Sequence, residues 1–283
     1  HLTVGASLQR GSSPCWMSPA RPNNSFDPTP PRGLIQVLAI EEQPMAHQVV
    51  RSFLVILALG LMAVVNWARA SDGQRIDNIP MYGQPAISRP DFLKKADEDF
   101  IKEASEIFGS REAASKAWSA QADRFIAKGD FDFAMRRYNQ SWLLNPNNYQ
   151  PYWGFGRLVL QAGKFDAAVE YLEISKQLCD DQYQKVALLA DLGAAYSTKA
   201  EHIPTDEKGE RERLFALANE SFVESTTLDP TYGNSWRRWA MSLYEQGNFV
   251  GAWEKVKRAR LQNARPFPPA FLQSLEKQLP EPN

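Results

Sequence analysis

The sequence predicts an all-α fold, a solenoid of stacked antiparallel helix pairs with flanking capping helices. Three observations carry that expectation. The first is a period of 34 residues: 115–148 aligns without a gap on 149–182, placing Trp118 on Tyr152, Phe125 on Val159, Gly129 on Gly163, Ala134 on Ala168 and Tyr138 on Leu172. The second is the recurrence of small residues at Gly156, Ala168, Gly193, Ala218, Ala240 and Ala252, with bulky residues at the neighbouring turns. Small positions let helices approach closely, and bulky ones fill the space between them. The third is a punctuating run, Gly-Asp-Phe-Asp at 129–132 and Gly-Lys-Phe-Asp at 163–166, which stops one helix and starts the next. Each pair leaves one hydrophobic side bare, so pairs must stack.

Taken in order, the chain opens on a segment that does not belong to this pattern. Residues 1–44 begin with His1, hold seven prolines and show no sustained hydrophobic period. They read as a disordered extension, or as translated sequence upstream of the true start, because such a stretch buries too little surface to offset its ordering entropy. From Met45 the character changes. Arg51 precedes the apolar run Phe53 to Val65, and Ala68-Arg69-Ala70 supplies small residues for cleavage, the layout of a secretory signal peptide over 45–70. Its 13 apolar residues would rise about 20 Å as a helix, short of the hydrocarbon core of a bilayer. Cleavage after Ala70 would leave a chain starting at Ser71. The expected location is a periplasm or the secreted fraction, with a bacterial periplasm fitting the disulfide-free remainder better than a eukaryotic route.

Residues 71–90, with Pro80, Gly83 and Pro85, read as an extended lead-in in which Tyr82 either packs on the first helix or stays mobile. Residues 91–108 place Phe92, Ala96, Phe100, Ala104 and Phe108 at helical spacing, suiting a capping helix. The repeats follow at about 115–148, 149–182, 186–232 and 233–266. The third carries 13 extra residues, assigned to an insertion at 201–213. Pro204 to Glu207 make a helix start, so the second helix of that repeat is expected to be lengthened into a charged, water-facing projection. Pro268-Pro269 then opens a C-terminal capping helix to Leu279, with Phe271, Leu275 and Leu279 on one stripe.

The repeats resemble the tetratricopeptide repeat family. The hydrophobe–small pairs Phe155-Gly156, Leu192-Gly193 and Trp239-Ala240 and the closing prolines Pro146 and Pro230 carry the likeness. Gln121-Ala122 fits less well, and Asp180 and Ala264 stand where the proline is expected. The resemblance spans residues 115–266. It implies a right-handed superhelix whose first helices line a concave groove, and a protein that binds another protein or a peptide segment there.

Composition narrows the chemistry. With 32 basic against 33 acidic residues, a nucleic-acid binder driven by bulk charge is not expected. Residues 1–70 hold five basic and three acidic residues, so the remainder has 27 against 30. That remainder keeps one cysteine, Cys179, and one histidine, His202. A Ser–His–Asp or Cys–His arrangement would have to use His202, which falls in the insertion. Cys179 reads as a packing residue. The acidic run Asp97-Glu98-Asp99 is contiguous, so a helix spreads it around its circumference. No cofactor, no metal and no catalysis are expected.

Candidate binding residues are those of the first helices that packing does not require. They are Trp153, Arg157 and Gln161 in the second repeat, and Arg237, Arg238, Met241 and Tyr244 in the fourth. Arginine beside aromatics is the composition of binding hot spots, and its guanidinium clamps a carboxylate with two hydrogen bonds. The same aromatics have a packing alternative, bracing neighbouring helices. The first repeat offers Lys116, Asp123 and Ala127, and the third Asp191, Ala194 and Ser197.

Charge differs between the ends. The fourth repeat has seven basic residues against Glu245 and Glu254, whereas 91–108 has six acids against three lysines. That permits weak head-to-tail self-association or an anionic partner. The expected partner is a protein or peptide, within an envelope complex if the chain is exported. Membrane contact would come only through an uncleaved signal segment. Two other classes stay open: a glycan- or peptidoglycan-binding protein using Tyr152 and Trp153 as stacking platforms, and an enzyme with an unrecognised carboxylate pair.

Overall fold

A helix begins where a side chain replaces the hydrogen bonds that its first backbone amides lack. Five helices of this chain start that way. Ser110 accepts from the Ala113 amide, Asp130 from Phe133, Asn148 from Gln150, Asp181 from Tyr183 and Gln184, and Asn248 from Gly251. The computed structural model describes residues 75–204 and 206–282. The expectations placed on 1–44 and on the signal segment at 45–70 lie outside those residues.

Among the described residues there are ten α-helices and no strand. They are α1 (Asp91–Phe108), α2 (Arg111–Ala127), α3 (Phe131–Leu144), α4 (Tyr149–Gln161), α5 (Phe165–Leu178), α6 (Gln182–Glu201), α7 (Lys208–Leu228), α8 (Gly233–Glu245), α9 (Phe249–Leu261) and α10 (Pro269–Gln278). Consecutive helices pack as the pairs α2–α3, α4–α5, α6–α7 and α8–α9, and each pair stacks on the next. This is a tetratricopeptide-like helical solenoid. Helix α1 packs on α2 and α10 on α9.

Three of the four pairs share one turn. Gly129, Gly163 and Gly247 have φ of 76°, 75° and 74°, a left-handed conformation that a Cβ penalises. The residue after each glycine then donates its amide back to Phe125, Val159 and Leu243 respectively, closing the helix end. The third pair lacks this glycine. There α6 runs for 20 residues and α7 for 21, against 13 and 14 in α4 and α5. Both helices of the pair are lengthened, not the second alone, and α7 begins at Lys208 rather than at Pro204. Helix α6 stops at His202, whose ring lies on Phe165 with centroids 4.1 Å apart.

The interior follows the repeat. Ala122, Ala134, Tyr138, Phe155 and Ala168 form one core segment; Leu172, Leu188, Leu192, Leu214 and Phe222 the next; Ala240, Leu243, Ala252, Val256 and Leu275 the last. Buried serines sit where helices cross: Ser115 with Ser141, Ser225 with Ser235 (2.6 Å), and Ser197 with Ser242 (2.6 Å). Their hydroxyls satisfy one another or a carbonyl, so close approach leaves no orphaned polar atom at these crossings.

The described part of the lead-in is not extended as expected: it makes two short 3-10 turns, Ile76–Asn78 and Pro80–Gly83, both packed on α3. Met81 and Tyr82 have φ of 52° and 54°, unusual for residues with side chains. One buried side chain holds them: Asn139 donates to the carbonyls of Asp77 and Ile79 (2.9 Å each) and accepts from the Tyr82 amide (3.4 Å). The Tyr82 ring is buried, with the Arg89 guanidinium 4.0 Å from its centroid, and Arg89 is itself clamped by Asp97.

Candidate functional site

Because side chains three and four apart share a helix face, each first helix presents one stripe to the concave side. Helix α6 presents Asp191, Ala194, Ser197 and Glu201. Helix α8 presents Asn234, Arg237, Arg238, Met241 and Ser242, and α4 presents Arg157, Leu160 and Gln161. These stripes, with Arg265 from the segment after α9, line a cleft of about 230 Å³.

The upper end of the cleft is cationic. Asp191 is its central acid and is engaged on both oxygens: Oδ1 lies 2.6 Å from Arg238 Nη1, and Oδ2 accepts from Trp153 Nε1 at 2.7 Å. Arg157 lies 3.6 Å from Asp123, whose carboxylate also accepts from the Tyr138 hydroxyl. Burial pulls the Arg157 guanidinium down, but Asp191, Tyr138 and Asp123 more than offset it, and the net shift is upward. Arg237 has no such support. It donates only a long bond to the Pro266 carbonyl (3.4 Å) and lies 5.7 Å from the Phe267 ring centroid. Burial, then repulsion from Arg238 and Arg265, lowers it to about 10. Among the described residues no carboxylate pairs with Arg237. Four arginines thus meet two aspartates, an excess of positive charge in a partly desolvated cleft.

The lower end is acidic. Glu201 closes α6, and its Oε1 is buried without a hydrogen-bond partner among the described residues. Burial, then repulsion from Glu245, pushes its carboxyl up to about 8, with Arg211 opposing. Glu245, which with Arg211 lines an adjoining hollow, is raised by burial and likewise countered by Arg211.

Of the residues that the sequence nominates, Arg157, Gln161, Arg237, Arg238 and Met241 lie on the cleft. Trp153 lies behind it, packed against the α6–α7 core and holding Asp191 by its indole N–H. Tyr244 is not on the lining. Its ring packs against Phe249 and Phe271, centroids 5.7 and 5.6 Å away, so it braces the C-terminal helix. The stacking platform imagined for a glycan is not formed: Tyr152 is 8% exposed and its hydroxyl accepts from Trp142, and Trp153 is edge-bound to Asp191. Sequence reasoning passed over Glu201 and Arg265. Glu201 lies in the stretch that the repeat period assigns to an insertion, and Arg265 lies between helices, where no periodicity points.

No family model matches this chain. Among curated proteins it is similar to a tetratricopeptide repeat and J domain-containing co-chaperone of Cryptococcus neoformans var. grubii, at 26% identity over 169 residues. The match covers 56% of this chain and 30% of that relative's length.

Proposed function

We propose that this chain is an exported, non-catalytic adaptor that holds an acidic segment of a partner protein in the concave cleft. The observation that carries the reading is Arg237, a partly desolvated guanidinium that pairs with no carboxylate among the described residues, flanked by Arg157, Arg238 and Arg265. A carboxylate arriving there gains a charge-assisted, two-point contact and relieves the mutual repulsion of the arginines. The likeness to a co-chaperone built on tetratricopeptide repeats supports a protein as the partner class. Export rests on the signal-like run at 45–70 and places the working chain in a periplasm or outside the cell.

Fluorescence polarisation with a fluorescein-labelled peptide carrying one aspartate among alanines tests the binding reading. Micromolar or tighter binding that weakens at least tenfold in Arg237→Glu supports it; equal binding by the variant removes it. N-terminal sequencing of exported protein beginning at Ser71 supports the location, and an intact residue 45–70 segment in the cytoplasmic fraction overturns it.

A second reading has one observation in its favour. Glu201 at the cleft's lower end and Glu245 in the adjoining hollow are raised acids that repel each other, and paired carboxylates serve glycoside hydrolysis. Release of soluble sugars from peptidoglycan by the wild-type chain, lost in Glu201→Gln, would establish it.

A further inference from the structure

The two ends of the cleft differ in sign, and the helix geometry fixes how far apart they are. Asp191 and Glu201 stand ten residues apart on α6, so their Cα atoms are separated by about 15 Å along the axis. Helix α8 runs beside α6 in matching register: Arg238 pairs with Asp191, Ser242 meets Ser197 at 2.6 Å, and Glu245 interacts with Glu201. The three levels are therefore arginine-rich, then small and apolar with Ala194 and Met241, then acidic.

The groups facing Glu201 are few. Glu245 comes from α8 and Arg211 from α7. On α6 itself, Lys199 is committed to Asp166 of α5 at 2.7 Å, and the His202 ring nitrogen meets the Thr198 carbonyl. Arg211 lies 5.6 Å from the Phe215 ring centroid and makes no ion pair with either glutamate among the described residues. Arg211 lines the adjoining hollow with Glu245 but pairs with neither carboxyl, and one buried oxygen of Glu201 has no hydrogen-bond partner among the described residues. That is the arrangement a bound ammonium or guanidinium would satisfy.

We propose that the cleft is bipolar, its lower pole at Glu201, backed by the negative charge of Glu245 in the adjoining hollow, receiving a basic side chain of the same segment whose acidic side chain sits among the arginines. The inference rests on the adaptor reading and adds a sequence rule to it. In an extended segment about 15 Å corresponds to four or five residues, so the partner carries an acid and a base separated by three or four residues, with small residues between. One chain direction is selected, because reversing the segment sets like charges against each other at both poles.

The experiment compares three fluorescein-labelled alanine-rich peptides on the full chain: aspartate alone, lysine four residues before the aspartate, and lysine four residues after it. The expected result is that one of the two lysine peptides binds at least fivefold more tightly than the aspartate peptide, with the other unimproved. That gain grows between pH 6.5 and 8.5, as a cation favours the ionised carboxyls, and vanishes in Glu201→Gln and Glu245→Gln but not in Glu98→Gln on α1. Equal binding of all three peptides, or a gain that survives both cleft substitutions, overturns the inference and leaves the adaptor reading standing. Failure of every peptide to bind overturns that reading as well.

Discussion

Asp191 on α6 and Arg238 on α8 are joined by an ion pair of 2.6 Å across neighbouring repeats, while Arg237, one residue away, pairs with no acid among the described residues. The aspartate side chain is only 14% exposed, so losing this ion pair leaves a nearly buried charge held by the Trp153 indole N–H and the attraction of Arg157. Breaking such a pair from one side is costly, because the remaining charge is not rehydrated. Arg238→Ala is expected to destabilise the fold by about 2–3 kcal/mol. Arg237→Ala is expected to cost under about 0.5 kcal/mol, since it relieves repulsion. The order reverses for the aspartate peptide, where Arg237→Ala is the more damaging. Urea unfolding and fluorescence polarisation on the two variants measure both; parallel losses would contradict the division.

Asn139 makes three hydrogen bonds to the backbone of the lead-in, beside the contacts of Arg136 to Asn78 and Asp77. Net worth per bond is about 1 kcal/mol, and the left-handed Met81 and Tyr82 have no other device holding them in place as local as this one. Asn139→Ala is expected to destabilise by about 2 kcal/mol and to expose 75–90 to limited proteolysis while the repeats stay resistant. Uniform loss of resistance along the chain would show instead that the lead-in folds as one unit with the solenoid.

The repeat itself is legible in the sequence because packing constrains it twice over, by period and by size. Gly156 faces Leu172 and Gly193 faces Phe222 closely enough that an added Cβ would crowd them, which is why small residues recur. The cleft is only partly legible. Arg157, Arg237, Arg238 and Met241 follow from helical spacing. Tyr244 shares that stripe, seven residues from Arg237, and spacing cannot reveal that Phe271 of α10 takes up its ring. Trp153 has the right face, yet its indole N–H serves Asp191 in the next pair, a contact 38 residues away. Glu201 is hidden for another reason: an interrupted repeat reads as inserted loop, whereas the absent turn glycine lets α6 run on and carry that glutamate to the cleft.

Gly154 marks the tightest approach between the first two repeats. A Cβ placed there would lie 2.2 Å from the Tyr138 ring, which is 1% exposed and fixed by its hydroxyl bond to Asp123. The ring cannot swing aside without giving up that bond and its edge contact with Phe155. Gly154→Ala is expected to cost about 2–4 kcal/mol, against the small gain in helix propensity that alanine brings. The control is Gly209→Ala near the start of α7, where an added Cβ meets open space and stability should hold or rise. Thermal unfolding of the pair gives the comparison.

Glu201 makes stability depend on pH in the direction opposite to that of an ordinary ion-paired carboxylate. Its folded carboxyl is raised to about 8, above the usual value of 4.5, by burial and by Glu245. Between those two values the folded state holds a proton that the unfolded state has released, so folding is penalised progressively as pH rises from 4.5 towards 8. Below that window both states are protonated and the penalty is absent; above it both are ionised and the penalty is complete. Glutamine keeps the shape and cannot ionise. Glu201→Gln is therefore expected to raise Tm by several degrees at pH 8.5, on the order of 1–2 kcal/mol, and to leave it nearly unchanged at pH 5. Scanning calorimetry of wild type and variant at the two pH values decides it. An equal shift at both would mean that glutamine acts through packing, and a lower Tm at pH 8.5 would mean that the ionised carboxyl is stabilised by Arg211 after all.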